Sequence, residues 1–409
     1  MLLWSSHLRT GNARLGSARE VALISAVIGR DFTYSLLRTL AGMEDAPLQM
    51  ALERLTEADI LLVQGLPPEA NYRFKHALIQ DAAYENLLKS RRQVLHRRVG
   101  EVLRDQYSAV VSGEPELLAH HFTQAGMTDA AIEWWDKAGQ KSLERSALVE
   151  AVEQFTRALA QIATVPSTPA LRRQEIKLQA ALVTVLLHVK GYTASETKAA
   201  AERGLLLIKQ AESIGEPLDD PLQLFSVLYG LWGASLTASK GDVGRELAMQ
   251  FLELAEKQAA TAPLMIGHRI MGVSLMTAGD IAAGRAQLDK AIALYDPPVH
   301  RSLAVQFGIE PGVTGLSFRG RALWLLGYPE AALVDAHHAL KDAREIGHAV
   351  TWMIALWLVS STHTLCGNYM AASTEADELV ALADEKAALS WSGLGRLNQG
   401  SVLVLRESL

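Results

Sequence analysis

The stretch LLGYPEAAL, residues 325–333, contains the signals that end one helix and begin the next. Gly327 suits the left-handed position that follows a helix. Pro329 suits the first turn of the following helix, where its missing N–H would have no partner. Leu333 and Leu340 then lie seven residues apart, on one face of that helix. The stretch therefore predicts two antiparallel helices joined by a short turn.

The same pattern recurs along the chain on both sides of this stretch. Gly241, Gly279, Gly327 and Gly367 follow one another at intervals of 38 to 48 residues, which is the range of solenoid repeats. A single hairpin has two apolar faces and buries the second only by stacking on a neighbour. Residues 115–409 are therefore predicted to form a TPR-like α-solenoid of helical hairpins. No polar capping helix is recognisable before Leu409, so we expect an array that is truncated at its C-terminus.

The longest interval contains a segment that breaks the repeat rhythm. Residues 296–315 include three prolines and are predicted to form an inserted loop. Long loops of this kind are often binding elements, so His300, Arg301 and Glu310 are candidate partner-binding residues. The alternative is a tolerated extension with no binding role.

Residues 18–110 follow a different pattern. Three short helices precede a β-hairpin at residues 60–76, whose second strand alternates rings and charges. A long helix from Ala77 to Tyr107 follows. This order of elements predicts a winged-helix-like module at 18–110, after a loose lead-in at 1–17. The predicted fold class is mainly α.

Composition limits the classes of function. The chain has 409 residues, 49% of them apolar, a net charge of −6 and one cysteine, Cys366. A single cysteine excludes an internal disulfide and a multi-cysteine metal site, which fits the cytoplasm. The acidic balance argues against a chain built to grip nucleic acid. Its apolar stretches are shorter than the roughly 20 residues of a membrane span, so no membrane contact is predicted.

No catalytic, cofactor or metal site is predicted from the remaining motifs. The pairs His120-His121 and His337-His338 are adjacent in sequence, so their side chains diverge by about 100° on a helix. Neither pair can chelate one metal by itself. Trp352 and Trp357 lie in an apolar helix and are predicted to pack in the core.

A basic run interrupts the acidic chain. Between Arg73 and Arg104 there are eight lysines and arginines against three acids. The candidate contact residues in this run are Arg91, Arg92, Arg97 and Arg98. They predict either a solvated helix face that meets an acidic partner domain or a winged helix that binds DNA. The overall charge favours the partner domain.

Several strings resemble a known family. They are FKHALIQDAAY at 74–84, LHRR at 95–98, ELLAHHF at 116–122, ALYDP at 293–297 and the opening stretch at 325–333. Over roughly residues 15 to 400 the chain resembles large bacterial signalling proteins. These fuse a class III adenylate/guanylate cyclase to an AAA-type (STAND) ATPase and tetratricopeptide-like repeats.

The resemblance implies a cyclase, an ATPase, a winged helix and repeats in that order. This sequence contains no GxxxxGK[S/T] phosphate-binding loop and no recognisable pair of cyclase metal-binding aspartates. It is therefore predicted to be a non-catalytic sensor or regulatory region that contacts a protein partner or an upstream ATPase/cyclase module. The alternatives are a DNA-binding transcription regulator and an adenylate cyclase by family membership.

Overall fold

The computed structural model describes residues 13–191, 194–216, 218, 220–237 and 241–407. In these residues the chain contains 22 α-helices and one three-stranded antiparallel sheet, so it is mainly α. It divides into two compact units, unit 1 up to Ala138 and unit 2 from Gly139. Residues 1–12 of the predicted lead-in lie outside the described residues, and the first helix already begins at Ala13.

Unit 1 opens with three helices and the sheet. The elements are α1 (Ala13–Ile28), β1 (Asp31–Thr33), α2 (Tyr34–Ala41), α3 (Asp45–Glu57), β2 (Leu61–Gln64) and β3 (Asn71–Phe74). The strand order is β1-β3-β2, and both pairs are antiparallel. One face of α3, formed by Leu48, Ala51, Leu52 and Leu55, is buried because these residues recur every three or four positions. The three helices precede the hairpin of β2 and β3, and β1 adds a third strand that the sequence pattern did not indicate.

Four further helices and the start of a fifth complete unit 1. They are α4 (Ala77–Glu85), α5 (Lys89–Gln106), α6 (Ser108–Gly113), α7 (Pro115–Ala125) and α8 (Thr128–Glu144). The prediction of one continuous helix from Ala77 to Tyr107 is wrong. The chain turns at residues 86–88, where the Asn86 amide donates to the Ala82 carbonyl at 2.6 Å and Leu87 enters the core. A short polar side chain that bonds to the backbone in this way competes with the helix ladder.

Unit 2 continues as a series of paired helices. They are α9 (Leu148–Ile162), α10 (Pro169–Val189), α11 (Ser195–Ser213), α12 (Leu222–Thr237), α13 (Gly241–Gln258), α14 (Thr261–Thr277), α15 (Ile281–Ala293), α16 (Pro297–His300), α17 (Leu303–Phe307), α18 (Pro311–Leu325), α19 (Pro329–Ile346), α20 (Ala349–Leu365), α21 (Tyr369–Glu385) and α22 (Leu389–Glu407). Each long helix packs on the next, as expected of stacked helical hairpins.

The inner layer of unit 2 forms a closed ring of contacts. Each inner helix contacts the next in the order α10, α12, α14, α18, α20 and α22, and α22 in turn contacts α10. The inner helices α12 and α20 are apolar on nearly every side, which is the pattern of helices with neighbours all round. The outer helices α11, α13, α15, α19 and α21 cover this layer.

The turns between repeats follow the predicted chemistry. Gly279, Gly327 and Gly367 have φ of 92°, 88° and 77°, so each occupies the left-handed region. Pro329 lies in the first turn of α19. Gly241 differs, since it is the first residue of α13, and residues 238–240 lie outside the described part of the chain.

The prediction of an irregular loop at residues 296–315 is wrong. This segment forms α16, α17 and the first turn of α18, because Pro297 and Pro311 begin helices rather than interrupt them. α17 contacts both α10 and α12. The Thr184 hydroxyl on α10 donates to the Gln306 carbonyl at 2.9 Å, which fixes α17 against the inner layer. No helix in the described ranges is long and apolar enough to cross a bilayer.

Candidate functional site

The inner layer of unit 2 lines a partly open cavity of about 350 Å³, which we call the aromatic pocket. Five inner helices supply its walls. Its lining residues are Tyr229, Trp232 and Gly233 from α12, Arg269, Val273 and Thr277 from α14, Phe318 and Arg321 from α18, Ile354 and Trp357 from α20, and Trp391 and Leu394 from α22. The walls therefore combine aromatic rings with two arginines, and no carboxylate lies among these lining residues.

Helical spacing places the rings on the pocket side. Tyr229 and Trp232 are three residues apart on α12, and their rings stack at 5.4 Å between centroids. The Trp232 indole N–H donates to the Ser274 hydroxyl at 2.9 Å, which fixes the ring against α14. Trp357 and Trp391 meet edge to face at 6.4 Å. These contacts join four of the five walls through apolar surface.

Arg269 is the unusual member of the lining. Its side chain is 1% exposed, and its Nε and Nη2 atoms have no hydrogen-bond partner. The guanidinium carbon lies 5.2 Å from the centroid of the Tyr229 ring, a cation–π contact. A buried charge without an anionic partner is costly, and a cation–π contact offsets only part of that cost. A negatively charged group bound beside Arg269 would therefore stabilise the site.

Close helix packing holds Arg269 at this wall. Arg269, Val273 and Thr277 are four residues apart in turn and share the pocket face of α14. On another face, a Cβ on Gly272 would lie 2.8 Å from the Leu288 side chain and 2.9 Å from the Gly284 carbonyl oxygen. The two glycines let α14 and α15 approach closely, which leaves little freedom for the helix that presents the arginine.

The four arginines predicted in unit 1 form local contacts. Arg91 forms an ion pair with Glu20, and Arg97 forms one with Glu101 at 2.9 Å. The Arg92 Nε donates to the Leu87 carbonyl at 2.9 Å, and its guanidinium lies over the Tyr84 ring. The Arg98 guanidinium donates to the Thr39 carbonyl at 3.2 Å. Arg91, Arg92 and Arg98 therefore link α5 to other elements of unit 1, whereas the Arg97 ion pair lies within α5.

The three residues predicted in the insertion lie in different environments. His300 is 4% exposed and accepts a hydrogen bond from the Asp296 backbone N–H at 2.9 Å. Glu310 is fully buried and caps α18 by accepting from the Val313 N–H at 2.7 Å. The structure places both in the core rather than on a contact surface. Arg301 is exposed, so it is the member of this group that a partner could reach.

Burial and the neighbouring Glu310 carboxylate change the acidity of Tyr295. Burial, together with the hydrogen bond to Glu310, raises the pKa of Tyr295 above its usual range, while Arg301 acts in the opposite direction. The phenol therefore stays protonated throughout the neutral range. Its role, like that of Glu310, is to hold the insertion on α18.

A histidine chain lies in the core of unit 1. Tyr84 Oη and His96 Nε2 are 2.9 Å apart, and the Nδ1 atoms of His96 and His121 are 2.8 Å apart. Burial and neighbouring histidines lower the pKa of His96 to about 4 and that of His121 to about 3. One Nδ1 must accept the hydrogen bond that the other donates, so the two rings cannot both be in the charged imidazolium form in this geometry. In the described residues no group of histidine, cysteine, aspartate or glutamate side chains has the arrangement of a metal site.

Sequence patterns missed the aromatic pocket. Trp357, predicted to pack in the core, is half-buried at its wall. The signal for Arg269 was present, because residues 264–276 read LMIGHRIMGVSLM and contain only one residue with a fixed charge. A lone arginine in an otherwise apolar helix is either paired in the core or directed at a ligand. Only the tertiary structure distinguishes the two.

Comparison with known proteins gives one curated relative, an uncharacterised protein of Rhizobium meliloti (strain 1021). It is 26% identical over 351 residues, which are 85% of this chain and 33% of the relative. The chain thus spans about a third of the length of that relative. No family model matches the chain.

Solved structures similar to the chain include a Signal Transduction ATPase with Numerous Domains (STAND) protein with a tetratricopeptide repeat sensor from Pyrococcus horikoshii. It shares 11% identity with a TM-score of 0.41, over 95% of this chain and 60% of that protein. Another is a Rap protein complexed with Competence and Sporulation Factor, with 10% identity and a TM-score of 0.45, over 78% of this chain and 93% of that one. The apo form of RapI is similar at 10% identity and a TM-score of 0.41.

Proposed function

We propose that this chain is a non-catalytic sensory and regulatory region of a larger bacterial signalling protein of the cyclase/ATPase type. Unit 2 binds a small signal in the aromatic pocket. Binding alters contacts with a protein partner or with an ATPase/cyclase module. The chain works in the cytoplasm and uses no cofactor of its own.

The observation that carries this proposal is the buried guanidinium of Arg269 in an aromatic cavity, where its Nε and Nη2 atoms have no hydrogen-bond partner. A cavity of a few hundred Å³ with apolar walls and few polar groups is the usual form of a small-molecule site. Five helices from different repeats meet there, so a ligand would contact much of the inner layer at once. The resemblance of the sequence strings supports the larger signalling context, as does the length of the curated relative.

Unit 1 is proposed to act as a winged-helix-like coupling module rather than as a DNA-binding domain. Arg91 and Arg97 form ion pairs with acids of the same unit, which reduces the positive charge offered to phosphates. The exposed Arg301 on the insertion of unit 2 is a second proposed contact point for a protein partner.

Binding of an uncharged aromatic fluorophore, aminoanthracene, tests whether the pocket is a ligand site. We expect saturable binding of one molecule per chain. Leu394→Trp, which places a larger ring at the pocket wall, should weaken binding by at least about tenfold. The matched control is Leu397→Trp on the same helix, at a side chain that is 64% exposed and outside the lining. Equal affinity in both variants would overturn the proposal, as would the absence of saturable binding.

A further inference from the structure

The chemistry of the pocket walls defines the class of ligand. The guanidinium of Arg269 carries a positive charge, and the described lining offers it no carboxylate. Buried charges in proteins are paired, and the strongest partners of guanidinium are anions that accept two parallel hydrogen bonds. Two nitrogens, Nε and Nη2, lie on one edge of the planar group and are closed off from water without a hydrogen-bond partner, so a ligand reaches this edge only by displacing a neighbouring side chain. That edge matches the two oxygens of a carboxylate.

The charge and polarity of the pocket lining favour a ligand with a single negative charge. Only one other cation, the half-buried Arg321, lines the cavity. Apart from the arginines, the polar side-chain groups of the lining are the hydroxyls of Tyr229 and Thr277 and the indole N–H groups of its three tryptophans. The Trp232 N–H is bonded to Ser274, and the Trp391 N–H has no hydrogen-bond partner. A doubly charged phosphate with three exposed oxygens would lose its hydration against these walls with few donors to replace it. A carboxylate needs fewer donors, and Arg269 neutralises it.

The size and shape of the cavity define the rest of the ligand. A volume of about 350 Å³ lies at the low end of pockets that hold small organic molecules. Trp357 and Trp391 present an edge-to-face pair on one side, and Tyr229 with Trp232 presents a stack on another. A single aromatic ring or a branched aliphatic group would bury its apolar surface between these walls.

We infer that the aromatic pocket binds a monocarboxylate whose oxygens pair with Arg269 and whose aromatic or branched aliphatic body fills the space between the rings. The inference rests on the proposed function, because it names the ligand class of the same site. The carboxylate belongs either to a free organic acid or to the C-terminal residue of a peptide. Both sources present the same chemistry to Arg269.

Calorimetry and displacement of aminoanthracene from the full chain test the inference. Phenylpropionate should displace the fluorophore, whereas its uncharged isostere phenylpropionamide should bind at least about tenfold more weakly. A tripeptide that ends in phenylalanine, compared with its C-terminally amidated form, tests the second source. Stronger binding of the free tripeptide than of phenylpropionate would assign the site to peptide C-termini, and the reverse would assign it to free acids.

Two variants separate charge recognition from loss of the fold. Arg269→Met should abolish the preference for phenylpropionate over the amide while aminoanthracene still binds. Arg269→Lys retains a positive charge and should restore part of the preference. If aminoanthracene binds but neither carboxylate is preferred over its amide, the ligand class is wrong and the proposed function stands. If aminoanthracene does not bind to the unmodified chain, the proposed function itself fails.

Discussion

The Ser390 hydroxyl donates a hydrogen bond of 3.1 Å to the backbone carbonyl of His188, although 202 residues separate the two. Beside this bond, the His188 and Trp391 rings stack at 6.1 Å between centroids. These contacts join α10, near the start of unit 2, to α22, its last described helix. They complete the ring of inner helices and place Trp391 at the wall of the aromatic pocket.

Gly308 should be far more sensitive to a methyl group than Gly347. Both glycines have left-handed φ, 73° and 70°, so alanine costs about 1 kcal/mol of backbone strain at either position. A Cβ on Gly308 would also overlap the His188 ring and contact Thr184, whereas in the described part of the chain a Cβ on Gly347 would lie in open space. We expect Gly308→Ala to lose about 2 kcal/mol or more beyond the loss in Gly347→Ala. Urea unfolding measures both, and equal losses would contradict the packing of the insertion on α10.

Arg269→Met should leave the free energy of unfolding of the ligand-free chain unchanged or raise it. Replacing a buried, unpaired charge by an apolar side chain of similar length removes a desolvation cost. The matched control is Arg319→Met, because Arg319 donates to both oxygens of Asp335 at 2.7 and 2.8 Å. That variant leaves a largely buried carboxylate without its partner and should lower stability by about 2 kcal/mol or more. Thermal unfolding of both variants checks the pair, and a comparable loss in Arg269→Met would indicate a structural anchor.

Acid should destabilise the chain through the histidine chain of unit 1. The pKa values of His96 and His121 are lowered to about 4 and about 3 by burial, while the unfolded chain has values near 6.5. Between the folded and unfolded pKa values, the unfolded state binds more protons than the folded state. The free energy of unfolding is therefore highest above about pH 6.5 and falls toward pH 4. We expect a loss of roughly 3–4 kcal/mol between pH 7 and pH 5 from this pair, about 2 kcal/mol from each ring.

His121→Asn separates this pair from the other titrating groups of the chain. An asparagine amide can occupy the place of Nδ1 and keep a hydrogen bond to His96, but it does not titrate. Denaturant unfolding at pH 7, 6 and 5 should therefore show that the free energy of unfolding changes less with pH in the variant than in the unmodified chain. Parallel pH dependences of the two proteins would show that the histidine chain does not cause the acid sensitivity.

The chain alone should not turn over nucleotides. With ATP and Mg²⁺ or Mn²⁺, we expect neither cyclic AMP nor released phosphate above the level of a buffer blank, because the sequence has no phosphate-binding loop. Chromatography of the nucleotides and a phosphate assay measure the two products. Metal-dependent turnover that co-purifies with the chain would show that the chain is an enzyme.

Local signals in the sequence predicted the repeats but not their closure. The left-handed turn at Gly327 and the helix start at Pro329 depend only on neighbouring residues, so they are readable from the sequence. The stacking of His188 on Trp391 depends on the summed rotation of all intervening repeats. No motif in either helix encodes that rotation.

The candidate residues show the same limit. His300 and Glu310 were chosen because polar residues in a proline-rich segment predict an exposed loop. The prolines instead begin helices, and both side chains are buried. The sequence does not single out Arg269, because a single charge in an apolar helix gives no pattern with its neighbours. Its significance depends on the absence of a carboxylate among the residues that line the pocket, and only the tertiary structure brings those residues together.

The position of α22 in the ring has a consequence for the timing of synthesis. Trp391 and Leu394 come from this helix, and the other walls come from helices that leave the ribosome earlier. A nascent chain that has not yet exposed α22 therefore lacks one side of the cavity and retains little affinity for a ligand. Only copies translated beyond α22 would then contain the complete cavity, and fragments that stall before it would not.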